Sequence, residues 1–475
     1  MIAIRIIELT KPLELPPNLE GKDGVRFYCT LRGDFIGHFT VWSKGRPIGR
    51  SQFLQEFTRN MGQTLLERLY GERFDGKVEP WSNLQHLLRA QFGLEPAELD
   101  FGLPAEEPLK LPKLTASITI PTRDRPDDIR RCLESLTNHK SQILFEIIVA
   151  DNNPASGKTE PVVRSFPGVT YLPEPRPGVT FARNAAALHA QGDIIVCTDD
   201  DVTYVDGWLD NLIAPYADPE VMAVTGMVMP FELDYEAQHW FEVYGSLTRN
   251  FKRTRYDRGF YENTGFMPMV PTWDIGVTAN ASFRAEVFAD PKIGPFDDEL
   301  RIAEDPYILY RMVKNNRVII YEPRAVVQHR HRQTMEGLAR QLYNYGRSST
   351  GMELRTFFVD GDRRGLNCLW DIAKFDRDRI LQIRKGERNF PMELVVAETK
   401  GHLMGPFSLL KSIWQVRTKY GRYTAEQFAL AQAARQRAKL EQQRQLAEAA
   451  EIKQLTEPGQ ERQIGEIETE GVVVN

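Results

Sequence analysis

The stretch Asp193-Ile-Ile-Val-Cys-Thr-Asp-Asp-Asp-Val202 limits most strongly what this chain can fold into. Ile194, Ile195 and Val196 form a short apolar, β-branched run, the pattern of a strand buried in a parallel sheet. The run ends in three carboxylates, Asp199, Asp200 and Asp201. Like charges this close repel, and burying them is costly unless a cation neutralises them. Open α/β sheets bind ligands at the carboxyl ends of their strands, so the natural partner is Mg²⁺ or Mn²⁺ carrying a phosphorylated ligand. In isolation three acids read as a solvated turn; the surrounding sequence decides otherwise.

From Ala116 the pattern alternates strand and helix. Ser117–Pro121 reads as a strand, 122–126 as a turn, and Asp127 as the cap of a helix over Asp128–Leu136. Leu144–Ala150 is a second strand, ending in Asp151-Asn152-Asn153, and Val169–Leu172 a third. A helix after Gly178 carries Ala182-Arg183-Asn184, and the acidic strand follows. Such alternation implies an α/β fold with a mostly parallel sheet flanked by helices. Val221–Met229 continues the sheet. Residues 231–270, aromatic and irregular, read as a substrate-facing lid or pocket wall, or as a loop packed on the sheet. Arg301-Ile-Ala-Glu-Asp-Pro306 opens a helix over Tyr307–Val313, Arg317–Tyr321 is a strand, and 326–331 holds His329 and His331. Residues 333–350 look helical.

The flanks read differently. Residues 1–92 form a small α+β module of unknown role, with a hairpin (Val25–Thr30, Phe35–Trp42) and a helix over Ser51–Tyr70. Four prolines mark 93–113 as a linker, and the main α/β domain is expected over 114–350. Residues 351–455 read as a helical extension and 456–475 as a disordered tail. Within the extension, 401–420 mixes apolar and basic positions. A helix packed on the domain is the preferred reading, and a helix lying on a membrane surface the second.

The 60 basic and 65 acidic residues leave a net charge of −5, which gives no bulk electrostatic case for nucleic-acid binding. Four scattered cysteines make no Cys-x-x-Cys pair and fit a reducing cytoplasm. No apolar run approaches the ~18 residues a membrane span needs. Nor does a Gly-x-Gly-x-x-Gly follow the first strand, and Asn152 stands where a P-loop ending in Gly157-Lys158-Thr159 would need its first glycine. With no glycine loop, phosphates must be neutralised mainly by a metal.

Strand-Pro-Thr-Arg-Asp-Arg-Pro, strand-Asp-Asn-Asn, Gly-x-x-x-Ala-Arg-Asn, strand-Asp-Asp-Asp, Glu-Asp-x-x-x-x-x-Arg and a later His occur in this order. Over roughly 116–350 the chain resembles the family 2 glycosyltransferases of the GT-A fold. That resemblance implies a nucleotide-diphosphate sugar donor (UDP-, GDP- or dTDP-linked), a divalent metal, and a saccharide, lipid-linked or protein acceptor. By motif, Pro121, Thr122, Arg123 and Asp124 border the base pocket and Asp151 contacts the nucleobase. Arg183 and Asn184 lie near the nucleotide, Asp199 faces the ribose with Asp200 beside it, Asp201 and His329 hold the metal, and Asp305 is the catalytic base. The family also implies inversion at the anomeric carbon, in polysaccharide, glycolipid or glycoconjugate synthesis, in the cytoplasm or at its membrane surface.

Each residue has a plainer role to weigh. Glu304-Asp305 can serve the helix dipole, His331 can replace His329, and Arg311 can pair structurally. Asn280 and Trp273 can be substrate contacts or packing. A nucleotidyltransferase would share the metal carboxylates but needs a basic glycine-rich loop where Thr122-Arg-Asp-Arg-Pro126 stands. A non-catalytic sugar-nucleotide-binding protein would be expected to lack an acid at 201 or 305, and both are present.

Overall fold

In a computed structural model of the chain, residues 1–16, 19–70, 88–89 and 108–456 are described. The expected tail after 456, and the linker apart from 108–113, lie outside them. The chain divides into two units, Met1–Phe428 and Ala429–Asn475; of the second, the described part is the continuation of the helix Ala425–Thr456.

Three strands, β1 (Ile2–Glu8), β2 (Gly24–Leu31) and β3 (Asp34–Trp42), form a small sheet in which β1 and β2 are parallel and β2 and β3 make the expected hairpin. The helix Arg50–Tyr70 lays Phe53, Phe57, Met61, Leu65 and Leu66 on this sheet, so its stripe of large side chains is core. This module is fastened to the larger sheet's surroundings. Ile2 N–H donates to Leu233 O at 2.9 Å, Arg26 pairs with Glu242 at 2.6 Å, and Arg324 pairs with Asp34.

The large sheet contains β4 (Ala116–Thr122), β5 (Phe145–Asp151), β6 (Val169–Pro173), β7 (Ile194–Thr198), β8 (Val202–Tyr204), β9 (Val221–Pro230), β10 (Thr254–Tyr256), β11 (Asn280–Arg284) and β12 (Val318–His329). Its order is β10-β12-β9-β11-β7-β4-β5-β6, with β8 beside β12. β4 and β7 are buried along their whole length. Alternate residues serve two cores: Ile195 and Cys197 face one layer, Ile194 and Val196 the other. The chain builds outward from β4 through β5 to β6, then returns to place β7 on β4's other side. That reversal opens a crevice at the carboxyl ends of β4 and β7, where Thr122 and Asp199 emerge.

Several local expectations need correction. Asp127 does not cap its helix. The helix Pro126–Thr137 begins two residues earlier than expected, with Pro126 at its first turn, where a missing N–H costs nothing. The α/β sheet flanked by helices is present as expected, but within it β11 runs antiparallel to both β7 and β9, and β8 and β10 antiparallel to β12. The strand expected at 317–321 runs on through 326–329 as one strand, β12, with an irregularity between Glu322 and Val326, around Pro323. Residues 231–270 form a packed wall: the helix Glu236–Gly245, the edge strand β10 and the helix Arg258–Asn263, with Phe251, Phe260 and Tyr261 against the core. Residue 350, drawn as a domain boundary, lies inside the continuous helix Met335–Phe358.

That helix carries a buried acid, Glu353, whose carboxyl is pushed up to about 8 by burial and by Asp362 nearby. An unfolded glutamate titrates near about 4.3. The folded chain therefore holds this proton more tightly, and stability falls as pH rises between those two values. Glu353→Gln should match the parent chain near pH 4 and melt at a higher temperature at pH 8. A thermal melt series across that range checks it, and equal melting at pH 8 would contradict the assignment.

Candidate active site

The crevice deepens into a cleft of about 850 Å³. Pro121, Thr122, Arg123, Arg183, Asp199, Asp200, Asp201, Asp305 and His329 all line it. Asp124, Asp151 and Asn184 are not among its lining residues. Asp124, at φ 56°, turns the loop and accepts from Asn153 Nδ2 at 2.9 Å. Asp151 is buried below, accepting from Tyr171 Oη at 2.9 Å and Asn153 N–H at 3.0 Å. Asn184 is fully buried and braces the 296–298 loop, donating to Phe296 O and Asp298 and accepting from Phe296 N–H.

The three consecutive acids diverge because the strand ends at Thr198 and the chain turns. Asp200 accepts from Thr122 Oγ1 at 2.7 Å and Arg125 Nη1 at 2.9 Å. Burial and the charge of Asp201 raise its carboxyl above the usual range, against the pull of Arg125. Asp201 lies 3.0 Å from Arg125, 3.2 Å from His329 Nε2 and 3.5 Å from Arg332. Burial works against its charge, but His329 and the arginines outweigh it and hold Asp201 well below the carboxylate range. Asp199 turns to Arg183, whose Nη2 donates to it at 2.6 Å. The same guanidinium donates through Nε to Glu304 at 3.1 Å, so one buried arginine ties the β7 end to the helix Glu304–Lys314.

Ligand atoms of Asp199, Asp201 and His329 fall within 4.8 Å of one another. Two carboxylates and an imidazole are oxygen and nitrogen donors suited to Mn²⁺ or Mg²⁺. The set therefore fits the ion that the acidic run implied, with Asp199 in the group. His329 reaches the cluster because β12 pairs with β8, the strand directly after the acids, with His329 opposite Val202. Burial opposes its protonation, yet Asp201 beside it raises its pKa. Its Nδ1 is 3.1 Å from Nδ1 of His331, whose Nε2 is 3.1 Å from Glu242. Glu242 also binds Arg26 of β2, so a chain of polar contacts runs from the acids to the N-terminal module. His331 thus supports His329 from behind.

Across the cleft, Ala303 adopts φ 73° and starts the Glu304–Lys314 helix with two acids in its first turn. Asp305 is half-buried and accepts from Thr278 N–H at 3.4 Å. Burial raises its carboxyl, with Arg183 opposing; burial and Asp305 likewise raise Glu304. Asn280 is a structural residue: buried, it accepts from Trp208 Nε1 and donates to Met227 O and Ala325 O. Arg311 donates to the backbone carbonyls of Lys292 and Pro291. Trp273 is not among the cleft-lining residues.

Sequence reasoning named Arg123 and Arg183 but missed other arginines of the cleft. Arg125 clamps two of the three acids, and Arg332, Arg340 and Arg347 line the wall above them. Arg125 was visible in Thr122-Arg-Asp-Arg-Pro126 and Arg332 in His329-Arg-His-Arg332, but neither run says which side chain turns inward.

Residues 117–273 match the family model described as glycosyl transferase family 2. The chain is 26% identical over 241 residues to the pre-mycofactocin glycosyltransferase of Mycobacterium tuberculosis, covering 50% of this chain and 47% of that one. It is 21% identical over 288 residues to the glucosyl-dolichyl phosphate glucuronosyltransferase of Haloferax volcanii, covering 57% and 82%. The chain spans about half the length of the mycobacterial relative. Among solved structures, S. aureus TarS 1-349 aligns at a TM-score of 0.40 and 13% identity, over 68% of this chain and 92% of that one. The strand-end acids Asp199 and Asp201 thus lie within the stretch, residues 117–273, that matches glycosyl transferase family 2, and His329 joins them from beyond it.

Proposed function

We propose that the chain is a metal-dependent, inverting glycosyltransferase that moves a sugar from a nucleoside-diphosphate donor to an acceptor hydroxyl. The observation that carries this reading is the Asp199–Asp201–His329 cluster sharing one cleft with Asp305, on a family 2 domain. Asp199, Asp201 and His329 would hold Mg²⁺ or Mn²⁺, which when bound would stabilise the charge developing on the departing diphosphate. Arg125 and Arg332 add positive charge beside those acids. Arg183 holds Asp199 and Glu304 in place.

Asp305 accepts the acceptor's hydroxyl proton while the acceptor oxygen bonds to the anomeric carbon. The bond from that carbon to the β-phosphate oxygen breaks, and its electrons leave with the nucleoside diphosphate. One displacement inverts the centre. Glu304, the neighbouring acid, is engaged by Arg183, which leaves Asp305 as the base. Pro121, Thr122, Arg123 and Asn152 border the end of the cleft nearest β4 and β5, where the nucleoside is placed; Asp124 and Asp151 shape that end from outside the cleft lining. Both relatives quoted above are named as glycosyltransferases, which supports the reaction class.

A melting series with UDP, GDP, dTDP and CMP, each with and without Mn²⁺, tests this. Binding to the folded state alone stabilises by about 2.7 kcal/mol at a hundredfold excess over Kd. One nucleoside diphosphate should raise the melting temperature only with the metal present. No metal-dependent rise with any of the four would overturn the reading.

A further inference from the structure

The helix Met392–Gln415 has two unlike faces. Its small residues lock it to the helix Met335–Phe358: a Cβ at Gly401 would lie 2.1 Å from Tyr343 O, and one at Gly405 2.5 Å from Thr350 Cβ. Close packing on that side fixes the roll of the helix. The opposite side then presents Leu403, Phe407, Leu410 and Trp414 to solvent, at i, i+4, i+7 and i+11, with Phe407 65% and Trp414 64% exposed. This stripe runs about 17 Å along the helix at 1.5 Å per residue. Lys400 and Lys411 are exposed on the same face, and Arg417 and Lys419 follow in the next turn. An apolar stripe bordered by basic residues is the pattern of a helix lying in the plane of an anionic membrane surface. Among the described residues no helix is long and apolar enough to cross a membrane.

A second chamber, of about 360 Å³, lies on the flank of this helix. Arg301, Arg347, Lys411, Ser408 and Ser412 line it, and it shares Arg301 and Arg347 with the catalytic cleft. Its acid, Glu299, is already engaged by Arg355 and Arg417. Lys411 belongs to both the exposed face and the chamber, so the apolar stripe and the cationic chamber meet at one residue.

We propose that the outward face of the Met392–Gln415 helix seats on an anionic lipid surface, and that the chamber beside it receives the anionic head group of an acceptor held in that surface. The acceptor half rests on the transferase reading given above; the seating does not. The test is co-sedimentation of the full chain with vesicles of phosphatidylcholine alone and of equal parts phosphatidylcholine and phosphatidylglycerol. The chain should sediment with the mixed vesicles, less with the neutral ones, and less again in high salt. Phe407→Glu combined with Trp414→Glu should weaken sedimentation at least about tenfold while keeping the nucleotide–manganese melting shift, which shows that the variant is folded. Failure to bind either vesicle, or unchanged binding by the double variant, would overturn the seating. So would a dimer seen by light scattering that the same substitutions dissolve, because the face would then cover a second copy. Loss of the melting shift in the parent chain with vesicle binding retained would instead defeat the transferase reading and, with it, the acceptor half.

Discussion

Asp305→Asn is expected to lower kcat by about 10²–10⁴-fold, the range for removing a positioned general base, while nucleotide and manganese still raise the melting temperature. The argument combines placement and charge. Asp305 lines the cleft on the first turn of its helix and is held by Thr278 N–H. Its carboxyl is raised by burial, so it takes up a proton more readily than an exposed aspartate. A raised carboxylate is most favourable to the fold when protonated, and stability is lost as pH climbs from the unfolded value through the folded one. The neutral amide escapes that loss, so the variant should be at least as stable as the parent at pH 8. A dead enzyme that melts higher separates a lost base from a lost fold. In the parent, activity should rise with pH through an apparent value above the ordinary aspartate range. That value belongs to the Glu304–Asp305 pair, since the two interact. Steady-state rates across pH 5–9 check this. An Asp305→Asn chain with parental turnover would remove Asp305 from the reaction.

Asp201→Asn should abolish the manganese-dependent part of nucleotide binding. Asp201 is the acid on which Arg125, His329 and Arg332 converge, and it is the one kept most firmly ionised. A neutral amide there leaves the cluster one charge short and His329 without its carboxylate partner. Titration of manganese in the presence of the selected nucleotide, followed by melting or calorimetry, should show at least about a hundredfold weaker response, in line with losing a charged partner in a buried site. His329→Ala should fall in the same direction. A manganese response of parental strength in Asp201→Asn would mean that the ion sits elsewhere.

These two residues stood out in the sequence because they occupy local patterns. Asp201 ends an apolar β-branched run, and Asp305 opens an amphipathic helix; both are features of a few adjacent residues. Most strands of the large sheet were legible for the same reason, since short apolar, β-branched runs and flanking turn residues are written within single segments. The antiparallel insertion of β11 was not. Its five residues look like any buried strand, and only its pairing with β7 and β9 gives it a direction. The aromatic stretch at 231–270 resembled a lid because its partners, Phe390 and the Tyr310 region, lie far away in the chain.

Asn184 shows the limit of motif reasoning. It adjoins Arg183, which reaches Asp199, but successive helical residues point about 100° apart. One therefore meets the cleft while the other is sealed against Phe296 and Asp298.

The sequence by itself determined the α/β alternation, the acid-tipped strand, the late histidine and the resemblance to glycosyl transferase family 2, because each depends on short-range patterns or ordered motifs. Only the tertiary structure decided which arginines face the acids, that Asp199 joins Asp201 and His329, and that His331 and Glu242 stand behind them. It alone also turned one side of the Met392–Gln415 helix outward. Those outcomes depend on strand register and helix roll, which are set by packing between segments tens to hundreds of residues apart and leave no trace in any local window.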